Sequence, residues 1–167
     1  MDRRLIALAA AGLMAACSQS SPVAPDPAAA DGAPAIVIPE PGDGGGRPLT
    51  ATLTTEAEVP ACNEPAPPGR GTATLSLNPG LGQVCWVLDV ENVNTTFTGA
   101  HIHRAPAGMA GGIVIPITTP DASGHSEGCT TASRELINEI LLNPEGFYLN
   151  VHNEDCRPGV ARGQLTK

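Results

Sequence analysis

The chain has 167 residues, of which 41% are hydrophobic but only 2% aromatic, and its formal net charge is −8 at pH 7. An acidic chain without a basic patch argues against nucleic acid as a partner, and its charge gives no attraction to anionic lipid. The length beyond the leader and linker described next suits one folded domain.

The N-terminus has the layout of an export signal. Residues 1–4 form a short basic start, and residues 5–16 form an apolar run that is too short to span a bilayer as a mature helix. Small residues precede Cys17 and polar residues follow it, which resembles a bacterial lipobox. We therefore predict a signal peptide over residues 1–17 and a lipid on Cys17 that attaches the protein to the bacterial cell envelope, on its extracytoplasmic side. Ordinary signal-peptidase cleavage, which gives a secreted protein, and an uncleaved hydrophobic anchor are the alternatives.

Residues 18–48 are rich in Ala, Pro, Gly and Ser. Such a segment buries too little apolar surface to offset the entropy of ordering it. We predict a disordered tether that holds a domain of residues 49–167 away from the membrane.

Four cysteines remain if Cys17 carries lipid: Cys62, Cys85, Cys129 and Cys156. An even number in an exported domain indicates two disulfides, for which three connectivities are possible. We favour Cys85–Cys129 and Cys62–Cys156, because the second pair ties the ends of the domain together. The domain has no C-x-x-C pair, which argues against a redox motif or a thiolate zinc site.

Alternation of apolar and polar residues between Gly, Pro and Asn turns predicts a series of strands. The predicted strands are Leu49–Val59, Gly71–Leu77, Gln83–Val93, Gly99–Arg104, Gly112–Ile117, Phe147–Asn153 and Val160–Thr166. Few aromatic residues are available, so we expect Trp86, Phe97, Phe147 and Tyr148 to contribute to the core.

One helix is predicted before the last two strands. Ser133 is a suitable N-cap, Asn143-Pro144 ends the pattern, and an apolar stripe lies between them. The stripe consists of Leu136, Ile137, Ile140 and Leu141, and we expect it to dock against the sheet. The fold class is therefore all-β, an antiparallel sandwich or flattened barrel of about seven strands with one short α-helix before the penultimate strand.

The segment from about Thr50 to Thr166 resembles the CHRD domain, a family named after chordin and present in many bacterial secreted proteins. The matching blocks are Glu58-Val59-Pro60, Gly71-Thr72-Ala73-Thr74-Leu75, Ala100-His101-Ile102-His103, Asn143-Pro144, Tyr148-x-Asn150-Val151-His152 and Arg162-Gly163-Gln164-Leu165. The resemblance implies an all-β extracellular module. It implies no reaction, because the family has no generally assigned enzymatic activity.

Three of the four histidines lie on predicted strands. His101 and His103 are two residues apart and therefore share a face, with Cα atoms under ~7 Å apart. His152 shares its face with Asn150 and Tyr148. If the two strands are neighbours, the three imidazoles form a zinc or copper site, in which zinc takes a fourth ligand. Copper–zinc superoxide dismutases also carry an H-x-H strand. The fourth histidine of this chain, His125, is expected in a glycine-containing loop.

We favour the interpretation that these histidines belong to a hydrogen-bonded polar network that fixes strand register without any metal, and the metal site is the alternative. The members of the network are His101, His103, His152, Asn150, Arg162 and either Glu56 or Glu58. In this network Arg162 and Glu58 form a structural ion pair.

No catalytic residues are predicted, because the chain has neither a G-x-S-x-G elbow nor a phosphate loop. We predict a non-enzymatic binding or structural module without a required cofactor. Its partners are the membrane, through the lipid, and an extracytoplasmic protein or glycan ligand.

Overall fold

The computed structural model describes residues 46–62 and 68–167, which form one antiparallel sheet of eight strands that nearly closes on itself. The strands are β1 (Arg47–Thr54), β2 (Arg70–Asn78), β3 (Gln83–Glu91), β4 (Phe97–Arg104), β5 (Gly112–Ile117), β6 (His125–Thr131), β7 (Phe147–Asn153) and β8 (Ala161–Gln164). Their order across the sheet is β5-β4-β7-β8-β1-β2-β3-β6. The two edge strands are consecutive in the chain, and Ser126 of β6 donates a hydrogen bond to the Thr118 carbonyl just after β5 (2.7 Å). The all-β antiparallel fold class is confirmed.

The core lies inside this sheet and is filled by alternate residues of every strand except β6. Leu53, Leu75, Leu88, Ile102 and Leu149 are fully buried at its centre. Because successive side chains of a strand point to opposite faces, the remaining residues of each strand lie on the outer face.

Helix α1 (Arg134–Leu142) starts at Ser133, whose hydroxyl accepts a hydrogen bond from the Leu136 amide (3.2 Å). Its residues Ile137, Ile140 and Leu141 are buried in the core. The helix comes directly before the penultimate strand β7, as predicted. No helix within the described ranges is long and apolar enough to cross a membrane.

The sequence analysis missed β6 and placed His125 in a loop, which is wrong because His125 begins this strand. The strand escapes a periodicity search because it contributes no apolar side chain to the core. Gly128 lies instead against the Trp86 ring, where a Cβ would collide with the indole, and Ser126 accepts a hydrogen bond from the indole nitrogen (3.1 Å). Trp86 therefore supplies the apolar surface that β6 lacks.

The first predicted strand also ends earlier than its alternation suggests. The Thr54 side chain accepts a hydrogen bond from the Ala57 amide (3.3 Å), which starts a 3₁₀ turn over Thr55–Ala57. The chain leaves the sheet there, and Glu58 at the end of the turn becomes buried. At its other end β1 starts at Arg47, so the last two residues of the predicted tether belong to the sheet. The predicted signal peptide, Cys17 and the tether up to residue 45 lie outside the described residues.

Two disulfides are present in the described part of the chain. Cys85 and Cys129 lie directly opposite each other on β3 and β6. Cys62 and Cys156 join the segment after β1 to the loop between β7 and β8. Two disulfides fit an extracellular or envelope protein.

Candidate metal centre

The three strand histidines lie on the outer face of two neighbouring strands. In the register of β4 and β7, His101 is opposite Asn150, and His152 is opposite Gly99. The inward residues of β7 belong to the core, so the alternate residues, His152 among them, point away from it. The strands that carry the histidines are therefore neighbours, which the sequence alone did not establish.

The three imidazoles converge. Each ring offers one nitrogen atom, and these three atoms lie within 4.8 Å of one another. The ring centroids of His101 and His152 are 5.0 Å apart, and those of His103 and His152 are 5.8 Å apart. Tetrahedral zinc with bonds of about 2.0–2.1 Å holds its ligand nitrogens roughly 3.4 Å apart, so small side-chain rotations bring the rings to bonding distance.

Two of the rings are oriented by backbone carbonyls. Nδ1 of His103 is 2.9 Å from the Gly111 carbonyl oxygen, and Nδ1 of His152 is 2.9 Å from the Arg157 carbonyl oxygen. A carbonyl accepts only from a protonated nitrogen, so both rings carry their proton on Nδ1 and leave the Nε2 lone pair free. This is the outer-shell arrangement usual for metal-binding histidines.

Each ring also has a buried nitrogen without a partner. Within the described residues, these are Nε2 of His103, Nε2 of His152 and Nδ1 of His101. Burying such a group without a partner costs about 1–3 kcal/mol, so three of them on neighbouring rings favour a bound ligand. The predicted network with Asn150, Arg162 and Glu58 does not satisfy these atoms.

The histidines are held in the neutral form that a metal requires. Burial, and then the neighbouring charges of His152 and His103, lowers the pKa of His101 to about 4. Burial also lowers the pKa of His103 and of His152, although the carbonyl bonded to each ring opposes this. Protons therefore compete weakly with a metal ion at neutral pH.

Asn150 is opposite His101 in the strand register and Glu58 lies next to Asn150, but neither side chain completes the network. Asn150 donates to the Pro158 carbonyl (3.3 Å), whereas its own Oδ1 and both carboxyl oxygens of Glu58 are buried without a partner of acceptable geometry. A Cβ on Gly159, whose φ is 153°, would collide with both side chains. Burial raises the pKa of Glu58 to about 8, against the lowering effects of Arg162, the Val59 backbone and Asn150. The raised pKa favours the neutral form of Glu58 at neutral pH.

Arg162 does not form the predicted ion pair with Glu58, since its guanidinium group has other partners. It donates hydrogen bonds to the Met109 carbonyl (3.0 Å) and to the Gln164 side chain (3.2 Å). Its Cζ lies 3.6 Å from the centre of the Tyr148 ring. With 1% of its surface exposed, Arg162 is the largest fully buried side chain among the described residues. The exposed Glu56 takes no part.

Tyr148 connects this arginine to the histidines. Its ring stacks on His103 with centroids 4.8 Å apart and planes 10° apart, and its hydroxyl accepts a hydrogen bond from the Gly111 amide (3.1 Å). The alternation along the strand predicted that Tyr148 shares a face with His152, and its stacking on His103 agrees with this. Tyr148 is also buried, with 2% of its surface exposed.

His125 lies apart from the other three histidines. It is half-buried on β6, and its Nδ1 lies 2.7 Å from a carboxylate oxygen of Asp89. The hydrogen bond to Asp89, more than its charge and that of Glu127, raises the pKa of His125. His125 and Asp89 form a surface ion pair, and His125 is not part of the metal centre.

Comparison with protein families finds that the CHRD domain matches residues 49–165. The match includes all three histidines of the centre, the residues packed against them and the four disulfide-bonded cysteines. Comparison with curated proteins finds no match.

Proposed function

This chain belongs to the CHRD domain family, a family of non-enzymatic modules, and we propose that it is a binding module whose ligand is a zinc or copper ion held by His101, His103 and His152. One observation carries the proposal: three neighbouring imidazoles each have a buried ring nitrogen without a hydrogen-bond partner, and each ring offers one nitrogen within 4.8 Å of those of the other two. A hydrogen-bonded network would satisfy these atoms, and in this site they remain unsatisfied.

The donor set fits these two metals. Three neutral imidazoles suit zinc and copper, whereas magnesium and calcium prefer oxygen ligands. His103 is buried and the other two histidines are half-buried, so the fourth coordination position is open to water or to a donor group of a partner. A protein or glycan ligand of the module remains a prediction from the sequence.

Elemental analysis tests the proposal directly. We expect about one zinc or copper per chain in protein purified without an affinity tag. Metal at 1,000 times the dissociation constant stabilises the folded state by about 4 kcal/mol, and we expect Tm to rise by about 10 °C or more when zinc is added to metal-free protein.

The His101→Ala variant is expected to lose both the bound metal and the rise in Tm. His125→Ala is the matched control, since it removes a histidine outside the centre, and it is expected to keep both. Metal-free protein as purified, together with no rise in Tm on adding zinc or copper, would remove the proposal.

We also propose that the domain is anchored in the cell envelope by lipid on Cys17. The support comes from the basic start, the apolar run and the small residues before this cysteine. The other four of the chain's five cysteines form disulfides, which leaves Cys17 available for another modification.

Mass spectrometry of the native N-terminus is expected to show a diacyl or triacyl adduct on Cys17. A Cys17→Ser variant should move from the membrane fraction to the soluble fraction of the envelope. A native chain that begins at Ser18 or Gln19 without lipid would contradict the anchor.

A further inference from the structure

We infer that the Cys62–Cys156 disulfide positions His152 for metal binding, so that the affinity of the centre depends on the oxidation state of this disulfide. The inference rests on the proposed metal centre and adds its regulation by thiol–disulfide chemistry. Cys62 and Cys156 are positioning residues in this scheme, because they act on the metal through other groups.

The β7–β8 loop (residues 154–160) supplies the contacts that orient the outer-face side chains. The Arg157 carbonyl accepts from His152 Nδ1, and the Pro158 carbonyl accepts from Asn150. Cys156 comes immediately before these two residues, and its carbonyl accepts a hydrogen bond from the Gly159 amide (3.0 Å). The disulfide therefore joins the loop at the turn that places the Arg157 carbonyl.

Hydrogen bonds hold both ends of the loop. At its end, the Val160 amide donates to the Val151 carbonyl (2.7 Å). The Glu154 amide donates to the Thr96 carbonyl (3.1 Å), and the Asp155 carboxylate accepts from Asn94 (2.6 Å). The Cys156 amide donates to the Asn153 side chain (2.7 Å). Arg157 and Pro158 are exposed, so the disulfide is the covalent tie between this part of the loop and the segment that carries Glu58.

Reduction of the disulfide releases that tie. A dithiol reductant supplies two electrons and two protons, the S–S bond breaks, each sulfur of Cys62 and Cys156 becomes a thiol, and the dithiol becomes a disulfide. The Arg157 carbonyl is then held by hydrogen bonds of the loop alone, so the tautomer and orientation of the His152 ring are less firmly set. Loss of such an outer-shell contact typically costs 10–100-fold in metal affinity.

The second disulfide provides a matched control. Cys85–Cys129 joins β3 to β6 at one edge of the sheet, whereas the histidines lie on β4 and β7 near the other edge. Removing either disulfide removes one chain cross-link, but only Cys62–Cys156 contacts the loop that orients His152.

The test compares a Cys62→Ser/Cys156→Ser variant with a Cys85→Ser/Cys129→Ser variant in the full chain. Zinc is the probe, because copper itself oxidises thiols. We expect the zinc dissociation constant, measured by chelator competition, to rise at least tenfold in the first variant and less than threefold in the second. Equal affinities in wild-type protein and the first variant would overturn the inference, while failure of oxidised wild-type protein to bind zinc would instead overturn the proposed metal centre.

If either variant does not fold, zinc-loaded wild-type protein is treated with a dithiol in the presence of a chelating dye. Zinc release is followed beside far-UV circular dichroism, and alkylation mapping identifies the disulfide that has opened. Release on opening of Cys62–Cys156, before the β-sheet signal is lost, supports the inference. Release only together with unfolding contradicts it.

Discussion

Replacing Arg162 with alanine is expected to lower the free energy of unfolding by about 3–5 kcal/mol, from two buried acceptors that lose their donors and from the cavity left behind. The guanidinium group is fully buried, donates to the Met109 carbonyl and the Gln164 side chain, and stacks on Tyr148. Truncation leaves both acceptors without these donors and opens a cavity under Tyr148. Urea unfolding of the metal-free protein at pH 7 measures the loss.

Two further variants separate charge from shape at this position. Arg162→Lys keeps the positive charge but lacks the planar group that donates in two directions and stacks on a ring, so we expect it to recover less than half of the loss. Arg157→Ala truncates an exposed arginine whose contact with His152 is made by the backbone carbonyl, and its effect should stay within about 0.5 kcal/mol. If Arg162→Ala costs less than 1 kcal/mol, the buried guanidinium is not a structural support of the outer face.

The alternation of side chains explains what the sequence could predict. Strands β5 and β7 alternate between a buried face and a second face, and both match their predicted bounds, Gly112–Ile117 and Phe147–Asn153. The same alternation places His101 and His103 on one face. Periodicity failed for β6, because small side chains on this strand pack against Trp86 and leave no apolar pattern.

The sequence identified the three histidines of the centre more readily than it showed that the fold brings them together. That β4 and β7 are neighbours follows from the topology of the whole sheet, which a local pattern does not encode. The hydrogen-bond partners of His103 and His152 are backbone carbonyls of Gly111 and Arg157. Every residue has a backbone carbonyl, so the sequence does not reveal which residues act as these partners. The sequence therefore suggested that side chains hydrogen-bond to the histidines, whereas in the structure loop carbonyls bind two of the rings.

Replacing Glu58 with glutamine is expected to stabilise the metal-free protein by roughly 4 kcal/mol at pH 8 and by only about 1 kcal/mol at pH 5. The reason is burial, which raises the pKa of this carboxyl from its ordinary value of 4.5 to about 8. At a pH between the unfolded and the folded pKa of Glu58, the folded protein keeps the proton on this carboxyl and the unfolded chain loses it. Stability is therefore complete below the unfolded pKa and falls as the pH rises towards the folded pKa. Glutamine has the same shape and never ionises, so it removes this loss.

Chemical denaturation of both proteins at several pH values between 5 and 8 measures the difference, with a chelator present so that no metal shifts the equilibrium. Other groups that titrate in this range, the histidines included, are common to the two proteins and cancel to first order. Glu56→Gln is the control, since it makes the same chemical change on an exposed side chain two residues earlier.

The sign of the stability change in Glu58→Gln at pH 8 shows whether Glu58 is ionised or neutral. If Glu58 were ionised and paired with Arg162, glutamine would remove a buried partner of the arginine and destabilise the protein at pH 8. If Glu58 is neutral, as its burial and raised pKa indicate, glutamine stabilises the protein. A neutral Glu58 leaves Arg162 as a buried positive charge beside the three histidines, and that charge helps to keep His103 unprotonated and available to a metal ion.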